Sequence, residues 1–144
     1  MSSMMSAMQA DPADALVETS FLVMGILTEV AGRHGLSLTQ LRVFGITQDR
    51  EPRLSDLAAF LGLDKSTVTG LVDRAAARGL VERVRHESDA RSVRIRLTDA
   101  GRELATLVHG EVHQELAGHL GALSPAARKD LTRYLRAVVG PPSL

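Results

Sequence analysis

The chain contains no cysteine. That removes disulfide scaffolds, thiolate metal sites, cysteine nucleophiles and thiol-based redox sensing together. Aromatics are almost as scarce, with no tryptophan, one tyrosine and three phenylalanines. An aromatic ligand cage is therefore poorly supplied, and any pocket is expected to be aliphatic. Long apolar runs are missing too. The longest near the start, Phe21 to Leu27, is too short to cross a bilayer. The opening segment, MSSMMSAMQADPADA, places no basic stretch before an apolar one, so it does not read as a secretory signal. No membrane partner is expected, and the cytoplasm is the expected compartment. No glycine-rich phosphate loop, nucleophile elbow or paired catalytic acid stands out. In His109-Gly110-Glu111-Val112-His113 the glutamate does not directly follow the first histidine, as it does in zinc proteases. Neither an enzyme nor a resident cofactor is expected.

What remains is a chain of 144 residues, the length of one domain and enough to bury an ordinary core. Its 17 basic and 17 acidic side chains cancel. Taken alone, zero net charge argues against nucleic acid as a partner. The distribution argues the other way. Residues 53–102 hold ten basic and seven acidic side chains, leaving seven and ten for the rest of the chain.

From about Asp11 to Arg33 the apolar residues recur with a helical period. Leu16, Phe21, Leu22, Val23, Met24, Ile26, Leu27 and Val30 make a surface wider than the single stripe of a monomer's surface helix. That width predicts cover on two sides, by the chain's own core and by a second copy. His34-Gly35 ends this helix. Ser37-Leu38-Thr39-Gln40 fits a capping box opening a second helix to about Gln48, with Leu41, Val43 and Phe44 inward. Asp49 to Pro52 breaks it, Arg53-Leu54 reads as a very short strand, and Ser55 is the expected cap of a third helix, SDLAAFLG. Asp64 or Ser66 caps a fourth helix to about Arg78, and Gly79 stops it in the left-handed position. Leu80 to Arg85 and Ser92 to Leu97 read as strands, the second alternating Val93, Ile95 and Leu97 with Arg94 and Arg96. HESDA between them is the expected polar loop. Thr98 caps a long helix to about Leu120, and Ser124-Pro125 opens the last.

The third and fourth helices carry the strongest signal. A helix-turn-helix needs a small residue where its helices cross, a glycine at the turn and an apolar residue packing back. Ala58, Gly62 and Val68 stand at that spacing. With Val68, Leu71 and Val72 in the core, the face left for a major groove is Lys65, Ser66, Thr67, Thr69, Gly70 and Arg74. The hairpin adds Arg83, Arg85, Arg91, Arg94 and Arg96 around two acids, Glu87 and Asp89. Arg91 lies near the tip, where a guanidinium can enter a narrow minor groove. Asp89 is placed to pair with an arginine and hold the loop. The candidate DNA contacts are Ser55, Lys65, Ser66, Thr67, Thr69, Arg74, Arg85, Asp89, Arg91 and Arg94.

In LSLTQLRVF, LSDLAAFLGLDKSTVTGLVDRAAARGLVER and ESDARSVRIRLTDAG the chain resembles the MarR (multiple antibiotic resistance regulator) family of winged helix-turn-helix transcription factors. The wing's D-x-R is Asp89-Ala90-Arg91, and the L-T-x-x-G after it is Leu97 to Gly101. The resemblance implies a mainly α fold with a small β-hairpin wing. Helices at about 11–36 and 98–140 would dimerise, and a lobe at about 37–97 would bind DNA. It also implies a homodimer on a pseudo-palindromic operator, and commonly repression relieved by a small-molecule effector. By that resemblance the fourth helix is the recognition helix and Arg91 the minor-groove arginine. Three positions depart from the pattern: Gly70 replaces a long polar residue, Ala75 a leucine and Ala90 a basic residue.

His109 and His113 share one helical face at a spacing that chelates a divalent metal if two more ligands arrive. Some MarR relatives sense zinc so, with another histidine from the second helix. Here that stretch is Gln40-Leu41-Arg42, and Arg42 opposes a cation, so two solvent-facing or dimer-lining histidines are the favoured reading and no metal is assigned. His34 and Arg42 are the ligand-binding candidates, His34 because it lies near the pocket the family has between its first, second and fifth helices. The leading expectation is a cytoplasmic, nucleoid-associated homodimer that binds double-stranded DNA as a repressor. The alternative is a winged-helix module for protein contacts, which would need exposed apolar anchors on the fourth helix.

Overall fold

The computed structural model describes residues 3–5, 10–86, 88–142 and 144. Six principal helices and one hairpin follow in the order α1 Pro12–Arg33, α2 Leu38–Thr47, α3 Leu54–Leu61, α4 Lys65–Ala77, β1 Val81–His86, β2 Asp89–Leu97, α5 Asp99–Leu120 and α6 Pro125–Val139. This is the mainly helical, winged helix-turn-helix arrangement that the patterns lead one to expect.

Local chemistry fixes most boundaries. Asp11 accepts from the Ala13 amide at the start of α1. Ser37 and Gln40 form both bonds of the capping box on α2. Thr98 and Ser124 cap α5 and α6. Gly35, Gly62 and Gly79 take positive φ where α1, α3 and α4 end, a conformation that L side chains rarely adopt.

Three expectations fail here. Ser55 is not the cap of α3. Leu54 already belongs to the helix, and Arg53 is its N-cap with no side-chain hydrogen bond. The cause is packing: Leu54 is buried, and the Pro52 carbonyl accepts from the Ile95 amide at 2.9 Å, bringing the chain to the sheet one residue earlier. The expected short strand at Arg53-Leu54 shrinks to a single antiparallel bridge, Arg53 to Arg94. The hairpin strands also run into HESDA. Val81 pairs with Leu97 and Arg85 with Val93, then the register shifts and His86 pairs with Asp89.

The core lies inside the lobe formed by α2, α3, α4 and the hairpin. Leu57, Val68, Val72, Ile95 and Leu97 are fully buried there, and Val30 is buried on α1. The lobe meets α5 at a joint with no spare room. The Leu80 carbonyl accepts from the Thr98 amide at 3.1 Å, and the Gly79 carbonyl accepts from Thr98 Oγ1 at 2.5 Å. A Cβ on Gly101 would overlap the Leu80 carbonyl oxygen.

α1 packs against α5 and α2, yet only Val30 and Ala31 of its residues are buried. Phe21, Leu22, Met24, Leu16 and Val17 face outward, as do Tyr134, Leu135, Val138 and Val139 of α6, which buries no residue at all. Over its whole length α1 is long and apolar enough to cross a membrane, which the short unbroken run Phe21 to Leu27 does not reveal.

Candidate nucleic-acid interface

Asp64 builds the exposed end of α4. Its Oδ1 accepts from the Thr67 amide at 2.8 Å and from Ser66 Oγ at 2.9 Å. Hydrogen bonds from Thr67, side chain and backbone, and then from Ser66 hold this carboxyl below the usual carboxylate range. Lys65, Ser66 and Thr67 stay exposed beside free helical amides, where an anion is favoured. Thr69 donates its hydroxyl to the Lys65 carbonyl at 2.7 Å and is half-buried. Arg74 is exposed and lies back over Gly70, its Nη1 3.5 Å from where a Cβ would stand. Val68, Leu71, Val72 and Ala75 point into the core. No large apolar side chain of α4 is exposed.

The wing is less cationic than its arginine count suggests. Arg83 binds Asp73 of α4 at 2.5 Å, and Arg96 binds Glu82 at 2.7 Å with Glu51 at 3.9 Å. Arg94, expected to reach DNA, is half-buried and donates to the Glu51 carbonyl at 3.1 Å. Its guanidinium is spent on the fold. Asp73 and Glu51 lie outside the hairpin, and Glu82 sits on β1 just before Arg83, so the count of acids around the loop missed all three. Arg85 is exposed. Asp89 and Arg91 fall on β2 by backbone, and their side chains, like Glu87 and Ala90, lie outside the described set. Ser55 is exposed in the first turn of α3.

A cleft of about 540 Å³ opens between α1, α2 and α5. Leu27, Leu41, Phe44, Leu104, Val108 and Val112 give it an apolar wall, and Arg42, Gln48, His109 and His113 are its polar members. Among the described residues no acidic side chain lines it. Arg42 lines the cleft and also stacks over the Phe60 ring at 5.1 Å. His34 does not line it. Its Nε2 lies 3.1 Å from both carboxylate oxygens of Glu111. The His109 and His113 rings stack with centroids 4.0 Å apart instead of converging on one point. Among the described residues no group of three or more potential metal ligands forms.

Residues 34–92, which hold the helix-turn-helix and most of the wing, match the MarR family. The chain is 30% identical over 95 residues to the HTH-type transcriptional regulator YfiV of Bacillus subtilis (strain 168), a match spanning 65% of the chain and 59% of that protein. It is 29% identical over 129 residues to the HTH-type transcriptional regulator PecS of Dickeya dadantii (strain 3937), covering 87% of the chain and 75% of the relative. Its fold matches the crystal structure of CouR from Rhodococcus jostii RHA1 bound to p-coumaroyl-CoA, with a TM-score of 0.76, 24% identity, and coverage of 95% of this chain and 97% of that one.

Proposed function

We propose that the chain is a homodimeric, sequence-specific DNA-binding transcriptional regulator, acting as a repressor in the cytoplasm on the nucleoid. One observation carries this reading. The solvent face of α4 offers Lys65, Ser66, Thr67 and Arg74 with no large apolar anchor, which suits base edges and phosphates and not a protein groove. The same observation disfavours the protein-docking alternative. Ser55 and Arg85 flank this face as phosphate contacts, and Arg91 enters the minor groove by the family pattern.

Dimerisation through residues of about 11–36 and 98–140 accounts for the uncovered apolar faces of α1 and α6, which a lone soluble chain would leave in water. Two lobes at about 37–97 would then meet half-sites about one helical turn apart. Occupancy alone excludes a polymerase, hence a repressor. The cleft takes a small-molecule effector. Its apolar wall, cationic and neutral polar groups and lack of acids favour an apolar body with an anionic group, which Arg42 would meet. CouR, with the same fold, has been crystallised with p-coumaroyl-CoA.

Selection of bound duplexes from a random pool tests the reading. A recovered two-fold symmetric site, bound by a species of twice the chain mass in sedimentation, is the expected result. No enrichment overturns it, and an asymmetric footprint overturns the dimer.

A further inference from the structure

Arg78 stands at the C-terminal end of α4 as its C-cap. Counted with the basic lobe it looks like one more phosphate ligand, but its guanidinium turns toward the protein. Nη2 donates to the His34 carbonyl at 2.9 Å and Nη1 to the Gly35 carbonyl at 3.2 Å. Those carbonyls belong to the turn that ends α1, with His34 its C-cap and Gly35 at φ +67°. A helix C-terminus gathers unpaired carbonyls and negative dipole, so a cationic fork fits it in both charge and shape.

The same turn is held from its other side. His34 Nε2 faces both Glu111 oxygens on α5. Its neighbour Arg33 reaches Glu29 and Glu115 at 3.2 Å each and Glu111 at 3.6 Å. One short turn thus joins the end of the reading helix to the long helices.

We propose that Arg78 is a positioning residue for DNA binding, a strut that fixes the angle of α4 against α1 and α5 without touching DNA. The proposal rests on the DNA-binding reading above. In a dimer that angle sets the distance and phase between the two α4 helices. The strut is therefore what makes the protein sensitive to half-site spacing.

The test compares the full-length wild type with Arg78→Gln and Arg78→Lys. Lysine keeps the charge but is a point donor and not a rigid fork. First, amide hydrogen exchange is followed without DNA. The bonds from the Gly35 amide to the Gly32 carbonyl and from the Leu36 amide to the Ala31 carbonyl are the reporters. Both variants should exchange faster there while melting within a few degrees of wild type, and unchanged exchange overturns the strut. Second, affinity is measured across a salt series for a duplex recovered from the random pool and for the same duplex with one base pair inserted between half-sites. Both variants should bind the recovered duplex about tenfold more weakly, keep the wild-type salt slope and discriminate less against the inserted base pair. A phosphate contact gives a different pattern: Arg78→Lys near wild type, and Arg78→Gln with a slope reduced by about 1.8 for the dimer, about 0.9 for each copy. That pattern overturns the proposal. If the wild type enriches no duplex, the DNA-binding reading fails and takes this role with it, while the exchange result still shows whether the strut holds the turn.

Discussion

Gly70 and Gly101 show how differently the same residue type can be placed. Gly70 lies mid-helix with room for a Cβ at ordinary contact from Arg74. Gly70→Ala should therefore raise stability by about 0.5–1 kcal/mol, because glycine surrenders more backbone freedom in a helix than alanine. Gly101 has the Leu80 carbonyl where a Cβ would go, and Gly101→Ala should cost about 2–4 kcal/mol or prevent folding. Denaturant melts separate the two. Asp64 supplies a third test at this scale. Its carboxyl is held below the ordinary range, so the cap's contribution is complete above the unfolded carboxylate value of about 4 and is lost as pH falls through the lower folded value. Asp64→Asn should keep the cap and remove that acid step from the dependence of melting temperature on pH. Asp64→Ala should lose both.

At the scale of elements, caps and turns were legible because they are local. The Ser37–Gln40 capping box, the caps at Asp64, Thr98 and Ser124 and the stops at Gly62 and Gly79 each rest on a few adjacent residues. What escaped needed a distant partner. The start of α3 depends on a bond from the Ile95 amide to the Pro52 carbonyl, Arg94 is spent on Glu51, and Arg78 reaches back to His34. Arg42, a candidate named without a place in the fold, lines the cleft, whereas His34, expected near it, is held by Glu111, seventy-seven residues away. The pair between Arg83 and Asp73 makes a further prediction. Asp73→Asn should release a wing arginine in each copy, raise affinity for random-sequence DNA and steepen the dimer's salt slope by at most about 1.8. A salt titration on a random-sequence duplex reads both.

At the scale of the whole molecule the zero net charge is a sum of separated parts: a basic excess in residues 53–102 and an acidic excess elsewhere. The acidic part includes the long helices, whose outward apolar residues Phe21, Tyr134 and Val138 make the case for a second copy. Phe21→Glu combined with Val138→Glu should yield a monomer in sedimentation equilibrium. The lobe's fold should survive, because its core draws on neither residue. Affinity for a palindromic duplex should fall far more than affinity for a single half-site.

The outward side of α1 also bears on the life of a newly made chain. Uncovered, it presents a helix with the length and apolar content of a bilayer-crossing segment. To a chaperone or an insertion machine, such a segment is hard to tell from cargo. In the proposed dimer, pairing would do more than align two reading helices: it would withdraw the chain from that sorting. On that reading the cellular level of the protein would depend on how quickly copies meet as well as on synthesis. A variant that pairs slowly would be depleted before any loss of DNA affinity could be seen.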